Sequence, residues 1–410
     1  MTRITLADGW SYRAPMGPFA ALQGVSTEPT PVRLPHDAMR DAVRSAEVPS
    51  KGASAYYPPV DVTYLRTLDV PESWADKLVS LEIQGAYAHA TVFVNDDFAG
   101  NRANGYARFF VDLTPYLVVG QENRLRIEMR SGQDSRWYSG AGLHRPVVLH
   151  VSDLVDVVPD GVTITTVRVE DDQAVIEVAT QVRNASHATA TRFVSTLVRD
   201  GSGAEVEADS TPITLAPGKT SVVRQRLYVQ HPALWSVDHP NLYRAEVALV
   251  GAEETRSLRS KDDEAGAPET RSLSSKDDDA GSAESRSLRS KDDEVGSAES
   301  RSLRSKDDEV GSCVSKGGAA TPTSYTFGIR TLTVDPRKGL RINGEPVLLR
   351  GACIHHDNGP LGAAAIGRAE ERRIELLKAA GFNAIRAAHN PLSVAMLDAC
   401  DRLGMLVMDE

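Results

Sequence analysis

Apolar and polar positions alternate with a period of two through most of the first 330 residues, in short runs separated by Gly, Pro and Asn. Thr63–Val70, Thr91–Asn95 and Val147–Val151 are such runs, and Val175–Val182, Phe193–Val198 and Leu242–Val250 continue the pattern. A period of two sends successive side chains to opposite faces of a pleated strand, so many short runs with turn residues between them predict antiparallel sandwiches. Sixteen of the aromatic residues fall before residue 156 and the runs beyond it carry few. That shift divides the region into a first sandwich over 1–155 and a second, smaller one over 156–328.

From Leu340 the period changes. Asn343-Gly344 is a tight-hairpin signal, and the apolar run Val347–Leu349 leading into Gly351–Ile354 predicts a strand buried on both faces. Glu371–Ala380 places Ile374 and Leu377 on one helical face, with Gly381 just past its end. Asn383–Ala388 is a second short strand. Ser393 can cap a helix whose inward face holds Met396, Leu397, Cys400 and Leu403, and Met405–Met408 is a third strand. The order β-α-β-α-β over 329–410 is the opening of a parallel α/β unit.

Residues 254–313 interrupt this grammar with four copies of a 15-residue unit, the first being ETRSLRSKDDEAGAP. Each copy has one large apolar residue (Leu258, Leu273, Leu288, Leu303) and no aromatic one, too little to bury a shared face, so a solvated, disordered insert is expected. Its flanks, Leu242–Val250 and Thr323–Val334, read as strands, which makes the insert an enlarged hairpin loop. Closing a loop of that length costs only roughly 2 kcal/mol more than closing a short one, so the domain around it can survive.

Charge changes the picture only through this insert. The net charge is −10, but the repeats hold 11 Lys and Arg against 16 Asp and Glu and so supply half of it. No Lys/Arg run is present, which argues against a nucleic-acid partner. The first residues contain no apolar segment before a small-residue cleavage site, and no run of about 18 apolar residues occurs, so a cytoplasmic protein with no membrane partner is expected. Cys313, Cys353 and Cys400 are widely spaced and read as free thiols. No cofactor site and no metal-ligand cluster is identifiable.

Ligands of parallel α/β folds bind beyond the carboxyl ends of the strands. The residues there are His355, His356 and Asp357 after the first strand, Arg386, His389 and Asn390 at the second, and Asp409 and Glu410 at the third. Three successive strand ends thus deliver polar groups to one rim, and no glycine-rich phosphate loop follows the first, which favours a polar uncharged substrate over a nucleotide.

The chain resembles the glycoside hydrolase family 2 enzymes, the β-galactosidase and β-glucuronidase group. The resemblance is carried by Leu34-Pro-His-Asp37, Gly105-Tyr106, Phe109–Leu113, Ser135–Gly142 with Arg145, Leu234-Trp235, Leu242-Tyr243 and Phe327–Arg330. It is most specific in Asn343-Gly344, Arg350-Gly351, His355-His-Asp357, Gly381–Arg386, His389-Asn-Pro391, Cys400-Asp401 and Asp409-Glu410. It implies a multidomain, mainly β protein: a jelly-roll-like sugar-binding domain, an immunoglobulin-like sandwich, and the first part of a (β/α)8 barrel that performs retaining hydrolysis of a β-linked oligosaccharide or glycoside. Such hydrolysis needs two carboxyl groups about 5 to 5.5 Å apart, one to protonate the leaving oxygen and one to attack the anomeric carbon.

By the resemblance, those two glutamates follow the fourth and seventh barrel strands. From Ile329 to Glu410 there are 82 residues, against roughly 200 to 250 in a complete barrel, so the expectation is an N-terminal fragment with no catalytic residue of its own, inactive alone. The family roles that carry over are auxiliary: His355 and His389 resemble sugar-contacting histidines, and Arg386 resembles the arginine that orients the nucleophile. His356, Asp357 and Asn390 are rim contacts, and the Asp409-Glu410 pair reads as supporting architecture. In the first domain, Arg136, Trp137 and Tyr138 belong to a segment that packs near the family's active site, where an aromatic ring could stack on a sugar. A β-galactosidase-like activity is expected of the full-length enzyme, with homo-oligomerisation open; the competing reading is a non-catalytic carbohydrate-binding protein with a vestigial α/β tail.

Overall fold

A computed structural model describes residues 1–15, 28–132, 138–170, 172–251 and 322–410. The expected repeat insert, together with Cys313, Arg136 and Trp137, lies outside the described residues.

The first domain is two antiparallel sheets packed face to face. One has four strands in the order Thr2–Thr5, Val147–Asp153, Lys77–Ile83, Phe109–Asp112; the other has six, in the order Thr30–Val32, Trp10–Arg13, Val62–Asp69, Glu122–Met129, Ala90–Val94, Asp97–Arg102. Alternation along Glu122–Met129 turns Leu125, Ile127 and Met129 inward, where they join Tyr64, Leu81, Ile83 and Leu149 in one core. Burying each of those aliphatic side chains contributes roughly 1.5–3 kcal/mol. The hairpin at Asn95-Asp96 turns without glycine, with φ of 51° and 73°, and the Asn95 side chain stitches it by donating to the Asn123 side chain and the Tyr116 carbonyl.

The second domain pairs a three-stranded sheet (Val155–Glu170, Gln173–Asn184, Thr220–Gln230) with a four-stranded one (Glu205–Leu215, Ala190–Arg199, Tyr243–Val250, Thr323–Phe327). Ile176 and Val178 of one sheet meet Val194, Val198 and Val247 of the other. Tyr243–Val250 and Thr323–Phe327 are antiparallel neighbours, Tyr243 opposite Phe327. The run expected to be one strand over 323–334 is split: Gly328 and Ile329 leave the sheet, Ile329 is fully buried, and a β-carbon at Gly328 would lie 2.8 Å from that of Trp235. The chain re-enters a small sheet at Leu332–Asp335.

The third region holds three parallel strands, Gly351–Ile354, Ala384–Ala387 and Leu406–Met408, in sequence order, with helices Gly367–Ala379 and Val394–Leu403 as the crossovers. Ile354, Ile374, Ile385, Met396, Ala399 and Cys400 form its core. Two expectations fail here. Val347–Leu349 is not part of the first strand, and Leu348 is 74% exposed, so the apolar run is not buried on both faces. The first helix starts four residues earlier than expected because its N-cap, Ile366, offers no side-chain acceptor and leaves no start signal to read. Asn343-Gly344, both at positive φ, forms the two-residue turn from Gly339–Ile342 to Glu345–Pro346.

Trp235 joins the second sandwich to this unit, its indole N–H donating to the Asp401 carbonyl at 2.8 Å and its ring lying 4.7 Å beneath the Arg330 guanidinium. Gly404 ends the second helix at φ 72°, with the Val237 carbonyl 2.3 Å from where a β-carbon would be. Gly404→Ala, facing both the backbone strain and that clash, is expected to cost about 2 kcal/mol or more. Ser393→Ala, which loses the cap to the Met396 N–H and the bond its hydroxyl donates to the buried Glu370 carboxylate, should cost about 1–2 kcal/mol. Urea denaturation of the two variants checks the order.

Candidate active-site rim

The carboxyl ends of the three parallel strands converge. His355 follows the first strand and His389 the second, and their rings stand perpendicular with centroids 6.0 Å apart. Glu410, just past the third strand, holds the second: Oε2 is 3.0 Å from His389 Nδ1, while Oε1 accepts from Arg386 Nε at 2.7 Å and lies 2.5 Å from Nη2. The bond from Arg386, and then that from His389, keeps the Glu410 carboxyl below the ordinary carboxylate range. Glu410 is therefore a charged anchor at neutral pH and not a proton donor.

The loops bearing these residues are fastened from outside the sheet. Arg373 of the first helix donates to the His355 carbonyl at 2.7 Å, and the Asp409 carboxylate accepts from the Leu392 N–H at 3.0 Å. Further ties come from the first sandwich. Arg145, almost fully buried, donates to the Pro391 carbonyl at 2.7 Å and the Leu392 carbonyl at 3.4 Å. Asp37, 1% exposed, accepts four hydrogen bonds: from the Met39 and Ala141 N–H groups, the Tyr138 hydroxyl, and the Ala363 N–H at 2.8 Å in the loop beyond His356. The contact is so close that a β-carbon at Gly362, itself at φ 62°, would sit 2.3 Å from Asp37 Oδ2.

His356 does not join the histidine pair. Its ring packs on Tyr106 at 4.7 Å, and Nε2 lies 3.0 Å from the Ser139 carbonyl, which fixes the proton on Nε2 and leaves the buried Nδ1 without a hydrogen-bond partner. Burial holds its pKa down at about 4, and burial likewise holds that of neighbouring His144 at about 3. Both rings are neutral at physiological pH. Asp357 is half-buried beside His356. Asn390 is half-buried in the turn after His389, and its Nδ2 is buried without a hydrogen-bond partner. Tyr138, the one described member of the Arg136–Tyr138 segment, gives its hydroxyl to Asp37 and its ring edge to Tyr57.

In the sequence Asp37, Tyr106 and Arg145 carry the resemblance and have no role assigned to them. Their roles are set by partners distant in the chain, Ser139 for Tyr106 and Ala363 for Asp37, 33 and 326 positions away. Among the described residues no three His, Cys, Asp or Glu side chains converge as a metal site would require.

Two antiparallel sandwiches joined to three parallel strands with crossover helices define a multidomain, mainly β architecture. Residues 157–262 match the family model "Glycosyl hydrolases family 2" and residues 334–410 match "Glycosyl hydrolases family 2, TIM barrel domain". The β-galactosidase BoGH2A of Bacteroides ovatus is 31% identical over 379 residues, 92% of this chain and 37% of its own length. A β-glucuronidase of Bacteroides fragilis is 23% identical over 361 residues, 85% of this chain and 42% of its own. The solved structure of a family 2 member from Bacteroides cellulosilyticus superposes with a TM-score of 0.80 at 27% identity, covering all of this chain and 46% of that one. The chain belongs to glycoside hydrolase family 2. It spans less than half the length of each of these relatives.

Two measurements follow. Because folded His356 and His144 bind protons less readily than their unfolded forms near 6.5, the unfolded state holds more protons below that pH; stability is full above 6.5 and falls as pH drops toward about 4 and then 3. His356→Phe should flatten that slope in urea titrations at pH 7 and pH 5. Asp37→Ala, leaving buried donors unanswered, is expected to cost about 3 kcal/mol or more, with Asp37→Asn intermediate because one oxygen remains.

Proposed function

We propose that these residues form the sugar-binding part of a retaining β-glycoside hydrolase acting on β-galactosides. The observation that supports the reading most is the His355–His389 pair at the carboxyl ends of the parallel strands, with His389 bonded to Glu410 and Glu410 in turn to Arg386. The two imidazoles offer polar edges to the hydroxyls of a ring seated over the strand ends. The galactoside preference rests on the β-galactosidase among the relatives.

The reaction needs an acid and a nucleophile on opposite sides of the anomeric carbon. Glu410 is engaged by Arg386 and His389 and so serves neither role, and the 410 residues by themselves bind and do not hydrolyse. Arg386 has the place of the arginine that would orient a nucleophile in the completed barrel. The free thiols of Cys353 and Cys400 suit a reducing compartment, and the cytoplasm is the proposed location.

The purified chain is expected to leave p-nitrophenyl β-galactoside intact while binding a thio-β-galactoside. Calorimetry should find that affinity lowered about tenfold in His355→Ala or His389→Ala, the cost of roughly one sugar hydrogen bond. Hydrolysis above background, or unchanged binding in both variants, would overturn the reading.

A further inference from the structure

A cavity of about 500 Å³ opens where the outer face of the four-stranded sheet, the second sandwich and helix Val394–Leu403 meet, and no rim residue lines it. Its floor belongs to the sheet. Val79, Leu81 and Ile83 turn into the first core, so Glu82 turns the other way, with Phe110 opposite it in register and Arg3 opposite His150 on the same face. Glu82 is 1% exposed yet amply paired: Oε2 lies 2.7 Å from His150 Nε2 and 3.5 Å from Arg3, while Oε1 accepts from Gln84 at 3.0 Å and lies 3.5 Å from Arg108. Arg108 also donates to Asp160 of the second sandwich at 2.5 Å. The floor is fixed before a ligand arrives, which lowers the ordering cost of binding.

The walls differ, because several of their polar groups lack a protein partner. Val394, Asp398, Asp401 and Arg402 recur at helical spacing on the face of the helix opposite Met396, Ala399 and Cys400, which lie in the core. Arg402 is bonded to Glu371, but the exposed carboxylates of Asp398 and Asp401 make no hydrogen bond or ion pair among the described residues. On strand Thr323–Phe327, Ser324 and Thr326 alternate outward from Tyr325 and Phe327, which pack on the second core, and their hydroxyls are equally unengaged among the described residues. Arg3, 56% exposed, makes only the 3.5 Å contact to Glu82, so most of its N–H donors are unengaged too.

The unengaged groups therefore include donors as well as acceptors. A ligand with a fixed positive charge would meet Arg3 and Arg402, and one with a fixed negative charge would meet Asp398 and Asp401; hydroxyl groups, each donor and acceptor at once, answer both kinds. Phe110, Leu242 and Val394 add apolar surface for the C–H face of a sugar ring. We infer that the cavity is a second binding site, separate from the rim, for a small neutral saccharide. Its volume falls within the range of small-ligand sites. Because both sandwiches and the helix line it, an occupant joins all three and stabilises the folded chain.

Calorimetry of the whole 410-residue chain carrying His355→Ala and His389→Ala tests this, since the rim pair is then gone and the outcome does not depend on the rim reading. The titrants are galactose, lactose, galacturonate, galactosamine and glycerol. Galactose or lactose is expected to bind and to raise the unfolding temperature, while the two charged sugars and glycerol bind at least about tenfold more weakly. Asp398→Ala should weaken the binding about tenfold, the loss of roughly one hydrogen bond to a charged group. Ser324→Trp, which fills the cavity, should abolish it. Both substitutions fall at exposed positions, so the fold is retained, and urea denaturation verifies it. The inference is overturned if neither neutral sugar binds, if a charged sugar or glycerol binds as tightly as the better neutral one, or if either variant binds unchanged.

Discussion

The geometry of the rim depends on one buried carboxylate. Asp37 comes from the first sandwich, yet one of its four hydrogen bonds reaches the Ala363 N–H of the α/β unit, and its nearest glycine, Gly362, admits no side chain. A carboxylate taken out of water must have its oxygens answered by donors in fixed places. Here those donors are two N–H groups of its own domain, a tyrosine hydroxyl and one N–H of the neighbouring unit. Satisfying Asp37 therefore fixes where the loop beyond His356 lies. Arg145 does the same for the loop beyond His389, through the Pro391 and Leu392 carbonyls.

From those two anchors the division of labour among the histidines follows. His356 turns back toward Tyr106 and Ser139 and is neutral because it is buried, so it belongs to the joint between domains. His355 and His389 remain on the strand-end side, with Glu410 as the charged prop. Adjacent residues in one loop thus serve opposite purposes, one closing the interface and the other facing the rim.

The mainly β architecture and the parallel β-α-β-α-β segment were legible because periodicity is a local property: the alternation of Glu122–Met129 and the Ser393 cap can be read in place. What escaped was set by contacts across the chain. The exposed Leu348 belongs to an apolar run that reads as a strand until its neighbours are known, and the break at Gly328 exists because Trp235 occupies the space. The rim residues were legible as a set from their place after strand ends, but the separation of His356 from His355 depends on Tyr106, 250 positions away.

The first sandwich sorts the histidines, committing His356 to the interface and leaving His355 and His389 at the rim, where we propose that they meet the sugar. Ring-selective NMR of the histidine side chains during titration with a thio-β-galactoside tests it most directly. The account predicts that the His355 and His389 resonances move with a common affinity while those of His356 stay fixed; movement of His356 alone, or of none of the three at saturating ligand, would contradict it.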